Sequence, residues 1–325
     1  MLIIRYLLLT LLIILSLGAC KKDLLQLHGI QQLNSYTNTD KLNRIFFIDS
    51  ATGFIVGGQR FYTCTILKTT DGGYTWNKFS FPDAGKCLYG ICQSPSGTLY
   101  TVGFDGKILS SGNKGANWAY FQSQYLPYLD IGFFNSRQGI ILSGVSFNEG
   151  FRILVDSVGN FIRKDSLAIQ YNRIKVINNT TAYICGYGAM QKTTDAGQTW
   201  QYLTVGGNDN FVDMDIHSEN DIWLCGNGGG VFHTTDGGNS WATLRNGNDI
   251  GKPRYQLLDI VFKTDNINGW AVGENGLLIH TDDGGHHWEE YQHFTDNALR
   301  SIFICTNGDL IVSGDNGALY RLQPN

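Results

Sequence analysis

One eight-residue pattern recurs along this chain and limits it to a repeat architecture. T-T-D-G-G-Y-T-W ends at Trp76, T-T-D-A-G-Q-T-W at Trp200, T-T-D-G-G-N-S-W at Trp241 and T-D-D-G-G-H-H-W at Trp288. A worn copy, S-G-N-K-G-A-N-W, ends at Trp118 and has Asn113 where the others have Asp71, Asp195, Asp236 and Asp283. Neighbouring copies are 42, 41 and 47 residues apart, and the 82-residue gap between Trp118 and Trp200 leaves room for one hidden unit. Self-similarity at this period marks solenoids, propellers or arrays. Each Asp opens a turn, where a short carboxylate accepts bonds from its own backbone. Gly73, Gly197, Gly238 and Gly285 supply positive φ cheaply, and the Trp that follows starts a strand and buries a large ring.

The flanks of the pattern repeat as well. Upstream come second strands such as G-F-I-V-G-G (53–58), D-I-W-L-C-G (221–226) and N-G-W-A-V-G (268–273). Before these lie short alternating runs, among them R-I-F-F-I (44–48), R-I-K-V-I (173–177) and R-S-I-F-I (300–304). Runs of four to eight β-branched and aromatic residues, split by Gly, Asn and Asp turns, read as an all-β chain. Four strands per unit at this period predict propeller blades. Five units carry a recognisable turn pattern. A sixth fills the gap (129–134, 139–144 and 152–156) with its turn eroded to D-S-V-G-N-F, and a seventh ends the chain after three strands. The expected fold is a seven-bladed β-propeller over 24–325, its last blade completed by an N-terminal strand at 24–30.

The turn pattern resembles the Asp-box (BNR) repeat, and the whole unit over 40–325 resembles the photosystem II stability/assembly-factor family. In sialidases, which also carry Asp-boxes, the boxes lie opposite the active site. The resemblance therefore implies a structural role for Asp71, Asn113, Asp195, Asp236, Asp283 and for Trp76, Trp118, Trp200, Trp241 and Trp288. It also implies a scaffold that binds newly made protein, partly through an arginine patch. This chain shows no concentrated patch of that kind, so partner binding is inherited and photosystem assembly is not.

Forty Gly and 13% aromatic residues suit tight turns around a packed β core, and a net charge of −4 gives no nucleic-acid footprint. Residues 1–19 read as a signal peptide: Arg5, the apolar run 7–15, then Leu17-Gly18-Ala19-Cys20. That ending resembles the bacterial lipobox, which makes Cys20 the lipidated first residue of a short tether (20–23). The alternative is an uncleaved membrane anchor. Lys21 in the second mature position sends such lipoproteins to the outer membrane, with its inner or outer side left open. Export permits disulfides, and loop topology sets Cys64 and Cys87 over one blade as a candidate pair. Cys185 and Cys225 read as buried small hydrophobes. No metal site and no cofactor are expected: there is no C-x-x-C, and His286-His287 are adjacent in a turn.

Function is expected on the face opposite the boxes, where connections are most unequal. One aligned position at the mouth of the innermost strands reads Arg44, Gly90, Asp130, Arg173, Asp213, Asp259 and Ser301, with aromatics just before it at Tyr89, Tyr128, Tyr171 and Phe211. Such a ring suits peptide or glycan recognition; the plainer reading is inter-blade ion pairing. A sialidase-like glycoside hydrolase is the enzymatic alternative, since Arg44 and Arg173 echo a first-strand arginine and Asp130, Asp213 and Asp259 offer paired acids. A glycan-binding surface lipoprotein is the third. The sequence favours a non-enzymatic, monomeric, protein-binding or assembly scaffold in the cell envelope, held to the membrane by its N-terminal lipid.

Overall fold

Alternating apolar residues need a partner for each buried face, and a ring of sheets gives every blade two. The computed structural model describes residues 24–33, 39–81, 85–206, 209–248 and 256–324. It is a ring of seven four-stranded antiparallel sheets. β1 (Gly29–Gln32) joins the last blade. Blade 1 holds β2 (Lys41–Phe47), β3 (Gly53–Gly58), β4 (Thr65–Thr69) and β5 (Asn77–Ser80), and blade 2 holds β6 (Leu88–Gln93), β7 (Leu99–Gly103), β8 (Lys107–Ser111) and β9 (Ala119–Gln122). Blade 3 is β10 (Tyr128–Phe133), β11 (Gln138–Ser146), β12 (Glu149–Asp156) and β13 (Phe161–Leu167); this is the unit hidden in the long gap. β14 (Tyr171–Val176), β15 (Ala182–Gly186), β16 (Ala189–Thr193) and β17 (Gln201–Leu203) form blade 4, and β18 (Phe211–Ile216), β19 (Ile222–Gly226), β20 (Val231–Thr234) and β21 (Ala242–Arg245) form blade 5. Blade 6 is β22 (Leu257–Phe262), β23 (Gly269–Gly273), β24 (Leu278–Thr281) and β25 (Glu289–Glu290), and blade 7 is β26 (Leu299–Ile304), β27 (Leu310–Gly314) and β28 (Leu319–Gln323) with β1 outermost. Among the described residues no helix is long and apolar enough to cross a membrane. The expected signal segment 1–19 and the Cys20 tether lie outside the described residues.

The core is distributed between blades. Each of the seven apolar clusters joins two neighbours, as where Phe54, Val56 and Ile66 of blade 1 meet Leu88, Ile91 and Leu99 of blade 2. The ring closes the same way, with Leu42, Ile55 and Leu67 of blade 1 against Ile311 and Leu319 of blade 7. A fully buried side chain of this kind contributes about 1.5–3 kcal/mol, so breaking one interface exposes two half-cores at once.

Closure by an N-terminal strand is as expected, but the strand sits later than 24–30. Its ladder runs from Gly29↔Gln323 to Gln32↔Tyr320. The residues before it serve blade 6: Leu25 N–H donates to Glu290 O (2.9 Å), and Leu25 O accepts from Gln292 N–H (2.8 Å). Leu25 and Leu27 pack into the cluster between blades 6 and 7. The apolar alternation therefore begins before the strand does.

Each Asp-box is a lock onto the preceding blade. In blade 4, Thr199 donates to Asp195 through its N–H (2.9 Å) and its hydroxyl (2.6 Å). Thr193 Oγ1 donates to the same carboxylate (2.8 Å) and accepts from Gly197 N–H (3.0 Å). Gly197 has φ +82°, and an added Cβ there would lie 2.5 Å from Ile140 of blade 3. Trp76, Trp118, Trp200, Trp241 and Trp288 all pack into the interface with the blade before their own. The worn copy keeps the geometry, with Asn117 N–H donating to Asn113 Oδ1 (2.9 Å).

These bonds hold the box carboxyls below the usual carboxylate range. Thr199 brings Asp195 to about 2, and Asp71 also lies at about 2, where bonds led by Thr75 outweigh burial. A carboxyl whose folded value is depressed adds stability above its unfolded value near 4 and loses it as pH falls towards 2. The thermal midpoint is therefore expected to fall steeply between about pH 4 and pH 2, and less so in Asp195→Asn. Trp76→Ala, which empties an almost fully buried site, is expected to cost about 3–5 kcal/mol in urea unfolding; a cost near zero would remove the box from the account of closure.

Candidate functional site

All seven innermost strands carry a bulge at the same place. Ladder register slips between Leu42 and Arg44, Leu88 and Gly90, Tyr128 and Asp130, Tyr171 and Arg173, Phe211 and Asp213, Leu257 and Asp259, and Leu299 and Ser301. A bulge adds one residue and re-aims side chains. The residue before each slip points into the inter-blade core. Tyr128, Tyr171 and Phe211 are thus 0–1% exposed and are not mouth platforms, which corrects their expected placement. The extra residues are Asn43, Tyr89, Leu129, Asn172, Val212, Leu258 and Arg300, and with Arg173 these line the mouth, a cavity of about 200 Å³. Of the four expected aromatics only Tyr89 is at the mouth. The sequence reading missed this ring because a one-residue bulge leaves no mark in a strand pattern.

The charged position lies just below, on the axis. Arg44 is hydrogen-bonded to Asp213, with its Nη1 3.6 Å from Asp259 Oδ2; Arg173 Nε reaches Asp213 Oδ2 at 3.2 Å. Asp130 Oδ2 accepts from Ile174 N–H of the next blade (3.1 Å), Asp259 Oδ2 from Ser301 Oγ (2.7 Å) and Ile302 N–H (3.0 Å), and Ser301 Oγ from Ile45 N–H (3.1 Å). Gly90 leaves room for a neighbour: a Cβ there would lie 2.4 Å from Asp130 Oδ1. The charged groups of the ring therefore pair with one another or staple blade to blade. Below them the channel widens to a cavity of about 430 Å³ lined by Arg44, Asp130, Asp259, Lys175, Phe47 and Phe133 among others.

Three buried carboxyls face two guanidinium groups, and burial decides which one yields. Burial works against the Asp213 charge, but Arg44 and Arg173 prevail and hold its carboxyl well below the usual range. Burial and then the Asp213 charge push Asp259 well above the usual carboxylate range, while its Oδ2 accepts from Ser301 and Ile302. Burial also raises Asp130, against the pull of Arg173 and Arg44. The third mouth arginine, Arg300, is turned onto Asp315 (Nη2 to Oδ2 3.2 Å). Among the described residues at the mouth and axis, Arg44, Arg173 and Arg300 are all paired with carboxylates, which disfavours the sialidase reading.

Exposed chemistry collects on the blade tops around the mouth. The connection 60–64 places Arg60 4.9 Å over Phe104 and 5.3 Å over Phe61, with Lys86 5.6 Å from the Phe61 ring. Tyr62 beside them is 76% exposed. Phe147, from 145–151, stands 6.2 Å from Tyr187. Of the connection 245–256, residues 249–255 lie outside the described residues. Cys64 and Cys87 are both buried free thiols, so the expected bridge is not formed; Cys87 Sγ lies 3.1 Å from Asn43 Nδ2 and 3.2 Å from Gly58 O. Burial pushes both thiols up to about 12. Cys185 and Cys225 are fully buried. Among the described residues no His, Cys, Asp or Glu cluster has the makings of a metal site.

From the third strand of blade 4 to the end of blade 7, residues 192–321 match the family model of the photosynthesis system II assembly factor YCF48. Over that stretch the chain is similar to the family, and it shares the propeller fold of solved members. A solved structure of YCF48 bound to D1 peptide aligns over 95% of this chain and 100% of its own, at 19% identity and TM-score 0.69. YCF48 from Cyanidioschyzon merolae aligns over 91% and 98%, at 17% identity and TM-score 0.68. A streptogramin B lyase structure aligns over 91% and 98%, at 13% identity and TM-score 0.69. At these identities the structural likeness carries the fold. No curated protein sequence matches the chain.

Removing one side of the axial network separates its members. Asp213→Asn strands two guanidinium groups and is expected to cost about 3–5 kcal/mol at neutral pH, whereas Asp259→Asn, at a carboxyl whose burial already favours its protonated form, is expected to cost less. A carboxyl whose folded value is raised loses stability as pH climbs from its unfolded value near 4 through its folded value. Asp259→Asn should remove that part of the decline. Equal costs for the two variants in urea unfolding would contradict this assignment.

Proposed function

We propose that the chain is a non-enzymatic binding scaffold of the bacterial envelope, exported, lipidated at Cys20, and holding a protein segment on the face opposite the Asp-boxes. The observation that carries the reading is the cluster of Arg60, Phe61, Phe104 and Lys86 beside Tyr89. Exposed rings with cations over their faces offer apolar contact and charge together, and aromatic and arginine side chains dominate protein recognition. The D1 peptide held by YCF48 supports a peptide ligand for a propeller of this kind. The axial carboxyls support the absence of turnover, because their oxygens are already used by arginines, a serine and backbone N–H groups. Lys21 after Cys20 supports the outer membrane as destination.

The test is crosslinked affinity capture from the native host, comparing wild type, Cys20→Ser, and a variant with Phe61, Tyr62 and Tyr89 all changed to Ala. Wild type is expected in the membrane fraction with one enriched envelope protein, and Cys20→Ser in the soluble fraction. The triple variant, folded by circular dichroism, is expected to lose the enriched protein. Equal enrichment in the triple variant would overturn the site, and unchanged fractionation of Cys20→Ser would overturn the anchor.

A further inference from the structure

The outermost strand of a blade has one unpaired edge, and natural sheets keep such edges short. Here β5, β9, β17, β21 and β25 have four, four, three, four and two residues. β13 has seven and completes a blade whose middle strands are nine and eight residues long. Its ladder to β12 slips between Leu154 and Val155 and leaves Ile162 in a bulge, so its regular edge runs from Arg163 to Leu167. It is also flanked by exposed apolar residues: Phe161 and Ile162 are about half exposed, at 46% and 52%, and the turn before them at Gly159 lies beside Phe121 of blade 2.

The strand reads F-I-R-K-D-S-L, which complements itself when laid antiparallel around Lys164. Arg163 then stands opposite Asp165 twice over, and the bulge at Ile162 ends the regular register on either side of that centre. Directly opposed residues in an antiparallel pair share a face and interact, and opposite charges favour the pairing. Within one chain Arg163 Nε is already 2.9 Å from Asp165 Oδ1, so both charges stand on the same face, with Arg152 Nε 4.0 Å away from Asp165 Oδ2. The one like-charge meeting is Lys164 with its copy, and Lys164 Nζ is drawn 4.8 Å over the Phe151 ring of its own sheet.

We propose that β13 pairs antiparallel with β13 of a second copy of this chain, joining two third blades into one eight-stranded sheet about a two-fold axis. The interface is self-complementary, as such symmetry requires. It leaves the mouth and the Arg60 cluster free, and it does not depend on the scaffold reading. A sequence alone points to a monomer because it does not show which outer strand is long and open.

The test is sedimentation velocity over a concentration series on the chain from Lys21 onward, which includes every described residue. Wild type is expected to form a dimer whose fraction rises with concentration. Arg163→Asp and Asp165→Arg each set like charges opposite one another at two places, and each is expected to weaken self-association about tenfold. Mixed in equal amounts the two variants restore both opposite-charge pairs and are expected to form a heterodimer. Wild type that stays monomeric throughout would overturn the proposal, as would single variants that dimerise like wild type or a mixture that stays monomeric. Unchanged thermal midpoints in the variants show that folding is not what moved.

Discussion

Closing seven twisted sheets into a ring forces seven innermost strands onto one axis, where their side chains meet away from bulk water. Whatever stands there must satisfy itself. This chain places Asp213 between Arg44 and Arg173, ties Asp259 to Ser301, and turns Asp130 and Ser301 onto the next blade's backbone. Buried ion pairs add little net stability, yet removing one partner is costly. The Asp-boxes add a second set of polar bonds at the outer half of blades 1, 2, 4, 5 and 6. At the interfaces these blades form with the blade before, the box Trp packs into the apolar cluster.

What the sequence disclosed follows from what repeats. The box is legible because Thr193, Asp195, Gly197, Thr199 and Trp200 each have a separate physical task, so chance seldom assembles the set. The blade count is legible because each interface needs the same apolar alternation. The bulge is not legible: it adds one residue whose type is unconstrained, ranging from Asn43 to Val212 to Arg300. Tyr128, Tyr171 and Phe211 were therefore assigned to the mouth, although they pack between blades. The closing strand was misplaced for a related reason, because Leu25 and Leu27 bury against blades 6 and 7 before the β1 ladder begins. The charged ring was read at the right position, but pairing across blades depends on distances that spacing does not encode.

With the axial charges paired among themselves, the proposed binding surface lies on the blade tops. The family match over 192–321 covers the later blades, whereas the exposed aromatic residues concentrate on blades 1 to 4, at Phe61, Tyr62, Tyr125, Phe147 and Tyr187. Phe161 and Ile162 on the blade 3 rim extend the same distribution to the outer edge.

The central claim is that the axis is architecture and the blade tops are the working surface. Hydroxyl-radical footprinting of the wild-type chain, with and without its captured partner, tests it most directly. Protection confined to Phe61, Tyr62, Tyr89 and Phe147 on partner binding, with the modification of Phe47 and Phe133 below the ring unchanged, is the predicted result. Protection of the channel residues with the blade tops left unchanged would contradict the account.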